Sequence, residues 1–168
     1  MSRSVEVINK KVAQILNQYS MRLAVAESCT GGLLAAKITD LPGSSEYFSG
    51  GIVAYANDVK VNLLGVKTET IEKYGAVSSP CAREMAKGVK ERLGADCGIA
   101  ITGIAGPGGA TPDKPVGLVY FGIAIAEFTY VEKQFFKGDR AEIRKKAAAH
   151  GLKLLYQIIT NRYLNERS

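Results

Sequence analysis

Ser28 lies in Glu27-Ser28-Cys29-Thr30-Gly31-Gly32, a glycine-rich turn directly after the apolar run 23–26. A strand ending there delivers the serine hydroxyl to the carboxyl edge of a sheet, where α/β enzymes hold their ligands. A helix starting at Thr30 would aim its free backbone N–H groups at the same spot, favouring an anion or a developing oxyanion. Cys29 competes for the nucleophile's role, because a thiol at a helix amino terminus can have a lowered pKa. Its alternative is a small buried residue.

Three other segments carry residues suited to chemistry. Tyr55 and Lys60 are separated by five positions in Tyr55-Ala56-Asn57-Asp58-Val59-Lys60, the tyrosine ending a strand and the lysine on the following helix. A desolvated lysine loses proton affinity and serves as general base to a serine, while a tyrosine hydroxyl relays a proton or donates to an oxyanion. The competing interpretation is an interface tyrosine beside a solvated lysine. In Ile101-Thr102-Gly103-Ile104-Ala105-Gly106-Pro107-Gly108-Gly109, four glycines fall within seven residues and let backbone N–H groups approach a ligand closely. Neither G-x-x-x-x-G-K-[ST] nor G-x-G-x-x-G is present, and a flexible surface loop is the alternative. Finally, Asp139 caps the last helix and puts Arg140 at the wrong end of the helix dipole. A bidentate clamp on phosphate or carboxylate would explain that placement, as would an ion pair with a neighbouring acid.

The elements that must position these residues follow from periodicity. Val5, Ile8, Val12, Ile15 and Leu16 fall at helical spacing, so residues 4–19 form an amphipathic helix. A buried strand at 23–26 follows, then a helix at 30–39 broken by Leu41-Pro42-Gly43-Ser44-Ser45. Residues 52–55 form a second strand, and residues 57–64 a short helix capped by Asn57 and ended near Gly65. Another short helix runs from 68 or 69 to 74. Ser79-Pro80 reads as a cap with proline at the first helical position, opening a helix to about Leu93. A third strand spans 97–101, residues 102–115 form a loop, and 116–126 pairs with 128–136 as a hairpin. The last helix runs from near Asp139 to Tyr163. His150, the only histidine, shares its stripe with Ile143, Ala147, Leu154 and Ile158, which makes it a packing residue. No S-x-x-K follows Ser28, so a serine–lysine pair must assemble through space.

These elements predict one domain over residues 1–168, an α/β fold of three layers, α/β/α, with a mixed sheet. With 168 residues, 46% of them hydrophobic, the chain can bury a sizeable core. No run of 18 apolar residues occurs, and the first 20 residues mix Glu6, Asn9, Lys10, Lys11 and Gln14 among their apolar positions, unlike a signal peptide. A cytoplasmic protein with no membrane contact is expected. Cys29, Cys81 and Cys97 form neither a C-x-x-C nor a Cys/His cluster, so no disulfide framework or metal site is indicated. Residues 132–168 hold nine Lys or Arg against four Asp or Glu and account for most of the net charge of +6. Without interleaved aromatics or a docking motif, that segment reads as solvated helix surface rather than a nucleic-acid face.

Ala26-Glu27-Ser28-Cys29-Thr30-Gly31-Gly32, Gly43-Ser44-Ser45, Gly51-Ile52-Val53-Ala54-Tyr55 with Asn57 and Lys60, and Gly75-Ala76-Val77-Ser78 stand in the order of one known family. So do Thr102 to Gly109, Lys114-Pro115-Val116-Gly117 and Gly138-Asp139-Arg140. Together they resemble the CinA carboxy-terminal domain family. That resemblance implies an amidohydrolase that converts nicotinamide mononucleotide to nicotinic acid mononucleotide and ammonia in pyridine nucleotide recycling. It assigns Ser28 as nucleophile or as activator of water, and Lys60 with Tyr55 to its proton. Glu27, Thr30, Gly31, Thr102, Gly103 and Gly106 would contribute to substrate binding, and Arg140 would meet the phosphate. No metal or cofactor is implied, and a homodimer is expected. Full-length relatives carry a larger amino-terminal domain resembling molybdopterin-binding proteins, so the stand-alone form is expected here. The rival functions are a non-catalytic module of competence or DNA-damage responses and an amidohydrolase for a different nucleotide-like amide.

Overall fold

Side-chain size alternates along the strands, and this alternation decides how closely each helical layer sits. The computed structural model describes residues 3–163; Glu166 and Arg167 of the basic segment lie outside them. Strands β1 (Leu23–Glu27), β2 (Phe48–Val53), β3 (Cys97–Gly103), β4 (Leu118–Ile125) and β5 (Phe128–Phe135) form one sheet of order β2-β1-β3-β4-β5. β1 runs parallel to β2 and β3, whereas β3/β4 and β4/β5 are antiparallel. Leu23, Val25, Ile99, Ile101, Phe121 and Ile123 face one side, packed under α1 (Arg3–Gln18), α2 (Leu33–Thr39) and α6 (Arg140–Tyr163). Each of the fully buried Ile99, Ile101, Phe121 and Ile123 contributes roughly 1.5–3 kcal/mol of transfer free energy.

The other face is built from Ala24, Ala26, Ala100 and Ala124 with Gly98 and Gly122, and it carries α3 (Asn57–Leu64), α4 (Thr68–Tyr74) and α5 (Ser79–Arg92). Small residues let α5 lie almost on the sheet backbone. A Cβ on Gly98 would sit 2.4 Å from the Ala86 carbonyl oxygen, and one on Gly122 2.3 Å from that of Ala82. A third close approach joins α5 to α3: a Cβ on Gly88 would fall 1.7 Å from the carbonyl oxygen of Leu64.

The expected architecture of three layers around a mixed sheet is observed, and the boundaries differ where pairing or capping overrides local pattern. β2 begins at Phe48 rather than 52, because pairing with β1 enlists Gly50 and Gly51 opposite Ala24 and Val25. It ends at Val53, so Tyr55 lies beyond the strand. Asn57 is the first helical residue of α3 and caps nothing; Ala56 precedes it without a side-chain cap. The cap of α5 is Ser78, one residue before the expected Ser79, with its hydroxyl accepting from Cys81 N–H at 3.3 Å and donating to Gly75 O at 2.8 Å. At α6, Asp139 caps as expected, reinforced by Glu142: Glu142 N–H donates to Asp139 Oδ1 at 2.9 Å, and Asp139 N–H donates to Glu142 Oε2 at 2.8 Å. Among the described residues, no helix is long and apolar enough to cross a membrane.

Candidate active site

The ends of β1 and β3, the segment leading into α3 and the first turn of α6 meet at the carboxyl edge of the parallel strands. Ser28 follows β1 directly, and its N–H donates to Ile101 O at 2.9 Å, which seats the turn against β3. Lys60, in the first turn of α3, is 1% exposed. Its Nζ donates to Ala54 O at 2.7 Å, to Tyr55 O at 3.0 Å and to Ser28 Oγ at 3.0 Å. Carbonyl oxygens only accept, so two of the nitrogen's positions must hold hydrogens aimed at Ala54 and Tyr55. The third points at Ser28. As an ammonium Lys60 donates there; as a neutral amine it offers its lone pair to the serine proton.

Burial lowers the pKa of Lys60, opposed by the Cys81 and Cys29 sulfurs in their ionised form. Those thiols do not ionise near neutrality, because burial pushes Cys29 and Cys81 each up to about 11. Lys60 therefore lacks an anionic counterweight at neutral pH, and its neutral form is the favoured one relative to an ordinary lysine. The raised value keeps Cys29 a neutral thiol near neutrality, and the side-chain hydrogen bond of Lys60 goes to the hydroxyl of Ser28.

The pocket around this pair has a volume of about 250 Å³. Asn57, Ala76, Val77, Thr102 and the glycine-rich loop line it together with Lys60 and Arg140, and no Asp or Glu does. The Arg140 guanidinium in a lining without a carboxylate suits an anionic ligand. Thr102 is 1% exposed, and its hydroxyl donates to Ala76 O at 2.9 Å, fastening the Ala76–Val77 wall to β3. Gly103 and Gly106 line the pocket, and Gly106 packs so closely that a Cβ would lie 2.6 Å from Val116 Cγ1. Arg140 donates to Gly106 O at 2.7 Å and to Tyr55 Oη at 3.0 Å, so it bridges the glycine loop and the tyrosine rather than pairing with an acid.

Several expectations change with the geometry. Glu27 does not face the pocket: it is 1% exposed, and its carboxyl oxygens accept from Leu34 N–H at 2.8 Å and Ala35 N–H at 3.0 Å. The helix begins at Leu33 rather than Thr30, and the anion expected at its amino terminus is Glu27 itself. Thr30 is fully buried with no hydrogen-bond partner for its hydroxyl, and neither it nor Gly31 lines the pocket. Gly31, at φ +58°, instead shapes the turn, its N–H donating to Ser28 O at 3.0 Å. Tyr55 is 59% exposed; its hydroxyl accepts from Arg140, and what reaches Lys60 is its backbone carbonyl.

His150 packs against Phe121 and Phe136 with Nε2 2.7 Å from Glu132 Oε1, away from this pocket. A larger groove of about 760 Å³ runs between α1 and α6 over Ile8 and Phe136, rimmed by Arg3, Lys11, Lys146 and Lys153. It lies apart from Ser28. Among the described residues, no three His, Cys, Asp or Glu side chains converge as a metal cage.

Sequence reasoning passed over Asn57 as a lining residue, the Ala76–Val77 wall and Arg144. Arg144 donates through Nε to Cys29 O at 3.0 Å and through Nη2 to Thr30 O at 3.1 Å. Its spacing of four from Arg140 on one helix was the available signal.

Comparison with known proteins agrees with this architecture. Residues 5–159 match the CinA C-terminal domain. A CinA-like protein of Syntrophomonas wolfei is 53% identical over 150 residues, covering 89% of this chain and 36% of that protein. A CinA-like protein of Leptospira borgpetersenii is 48% identical over 156 residues, covering 92% and 37%. The chain thus spans little more than a third of the length of these curated relatives. The crystal structure of a competence-damaged protein (CinA) superfamily member from Klebsiella pneumoniae superposes with a TM-score of 0.91 at 32% identity, covering 95% of this chain and 99% of that one. A competence/damage inducible protein from Agrobacterium tumefaciens gives 0.90 at 36% identity, covering 94% and 97%. A family match over nearly all the described residues, on a shared fold, means that the chain belongs to the CinA C-terminal domain family.

Proposed function

We propose that this pocket hydrolyses the carboxamide of nicotinamide mononucleotide to nicotinic acid mononucleotide and ammonia. The observation that carries the reaction type is the buried Lys60 amine 3.0 Å from Ser28 Oγ, with its other positions held by two carbonyls. The family resemblance supplies the substrate, and the carboxylate-free lining with Arg140 at its edge supports a phosphate-bearing ligand. Ser28 Oγ attacks the amide carbon while Lys60 takes the hydroxyl proton. The tetrahedral intermediate collapses, and Lys60 returns that proton to the departing nitrogen, releasing ammonia. Water, deprotonated by the same amine, then attacks the ester carbon, and as the carbon–Oγ bond breaks Lys60 passes that proton to Ser28 Oγ, freeing the carboxylic acid product and restoring the starting pair. Tyr55, held by Arg140, stands at the pocket rim where a substrate ring or phosphate passes.

The test is release of ammonia and nicotinic acid mononucleotide from nicotinamide mononucleotide, with Ser28→Ala alongside. Turnover in the wild type and a loss of at least about a thousand-fold in a folded Ser28→Ala supports the reading. A folded wild type that leaves this substrate intact but hydrolyses another nucleotide-like amide would move the assignment to that amide. Absence of any amidase activity would favour an interaction module.

A further inference from the structure

We infer that Arg144 is a positioning residue, holding the Ser28 turn in its attacking geometry from the helix behind it. The inference rests on the proposed role of Ser28 and goes beyond it to a residue outside the pocket lining. Nε and Nη2 of Arg144 donate to Cys29 O at 3.0 Å and Thr30 O at 3.1 Å, the carbonyls of the two residues that follow Ser28. A planar fork spans two adjacent acceptors with fixed direction, which a lysine ammonium cannot do. No salt bridge among the described residues engages Arg144, so its charge is directed wholly at this turn.

The turn is closed by Gly31 N–H donating to Ser28 O at 3.0 Å. That N–H belongs to the peptide whose carbonyl, Thr30 O, accepts from Arg144. A cationic donor on one end of an amide strengthens donation from the other, so Arg144 tightens the bond that fixes the backbone of Ser28. From the opposite side Glu27 holds the first turn of α2. The nucleophile is therefore braced at both flanks, by the Glu27 carboxylate at the end of β1 and by a guanidinium from α6. Arg140 and Arg144 divide the work along one helix: the first meets the pocket loop and Tyr55, the second the turn that carries the nucleophile.

The experiment measures kcat and KM for nicotinamide mononucleotide in Arg144→Lys and Arg144→Ala. In parallel, it measures the rate of Ser28 labelling by a serine-directed fluorophosphonate and the melting temperature. A displaced nucleophile should lower kcat and the labelling rate together, each about 10–100-fold. KM should move by less than about two-fold, because the pocket lining is untouched. Added guanidinium ion should restore part of both rates in Arg144→Ala and none in Ser28→Ala. Unchanged labelling in the variants overturns the inference, and so does a rise in KM alone, which would mean direct substrate contact. Unfolding of Arg144→Lys also overturns it, assigning the residue to stability. A wild type that labels but does not release ammonia defeats the substrate assignment while leaving Arg144 tested by labelling. A wild type that neither labels nor turns over removes the nucleophile and, with it, the role of Arg144.

Discussion

Lys60 takes its place beneath the surface with no carboxylate partner, and its three contacts are to acceptor atoms. A cation so placed costs stability in its charged form, and burial lowers its pKa below the ordinary value of 10.5. Below the folded-state pKa, both folded and unfolded chains hold the proton, and the full cost of burying the charge applies. As pH rises from that value to 10.5, the unfolded chain keeps a proton that the folded chain has lost, so stability gains. Urea unfolding of wild type and Lys60→Met between pH 7 and 10.5 should show wild type gaining on the variant as pH rises. A gap independent of pH would mean an unperturbed lysine. In the same window kcat should climb with pH in wild type, and Lys60→Met should lose about 100–10,000-fold with no such limb. Cys29 adds nothing to this limb, since its thiol titrates only near 11.

At the scale of elements, one side chain does the work that the sequence seemed to leave to a ligand. Glu27 ends β1 and also caps α2 through Leu34 N–H and Ala35 N–H, tying the strand to the helix on either side of the Ser28 turn. Glu27→Ala leaves those buried donors unpaired and should cost about 1–3 kcal/mol in urea unfolding. Glu27→Gln, which keeps an acceptor, should cost less. Equal stability of Glu27→Ala and wild type would show that water replaces the carboxylate. The strand before Ser28 was readable from its apolar run, whereas the start of α2 was not: local pattern cannot tell that the acid before the turn folds back onto the helix after it. The end of α3 at Leu64 is legible because Gly65, at φ +70°, closes it with a local signal. The pairing of Lys60 with Ser28, 32 residues apart, depends on β1 and β2 lying side by side. Residue types named both candidates, and only the sheet brings them together. Asn57 carried the signal of a helix cap and was read as one, although its place at the start of α3 is also the pocket wall.

Across the whole molecule, the two faces of the sheet differ in tolerance. On the side of α1, α2 and α6, large side chains interdigitate, and a lost methylene leaves a cavity costing about 0.5–1.5 kcal/mol, as for Ile99→Val. On the side of α5 the spacing is set by backbone meeting backbone at Gly98, Gly122 and Gly88, where no side chain can yield. Gly88→Ala would need its methyl 1.7 Å from Leu64 O, so α3 or α5 must retreat by more than an ångström. Leu64 ends the helix that carries Lys60 in its first turn. Gly88→Ala should therefore lower both the melting temperature and kcat, while a variant at the exposed Lys87 changes neither; a loss of stability with full kcat would show that α3 shifts without moving Lys60. With kcat lost in Gly88→Ala, the distance between nucleophile and base would be gauged where α5 meets α3, by a residue with no side chain that does not line the pocket. A mutational screen confined to the walls of the pocket would miss the position that calibrates them.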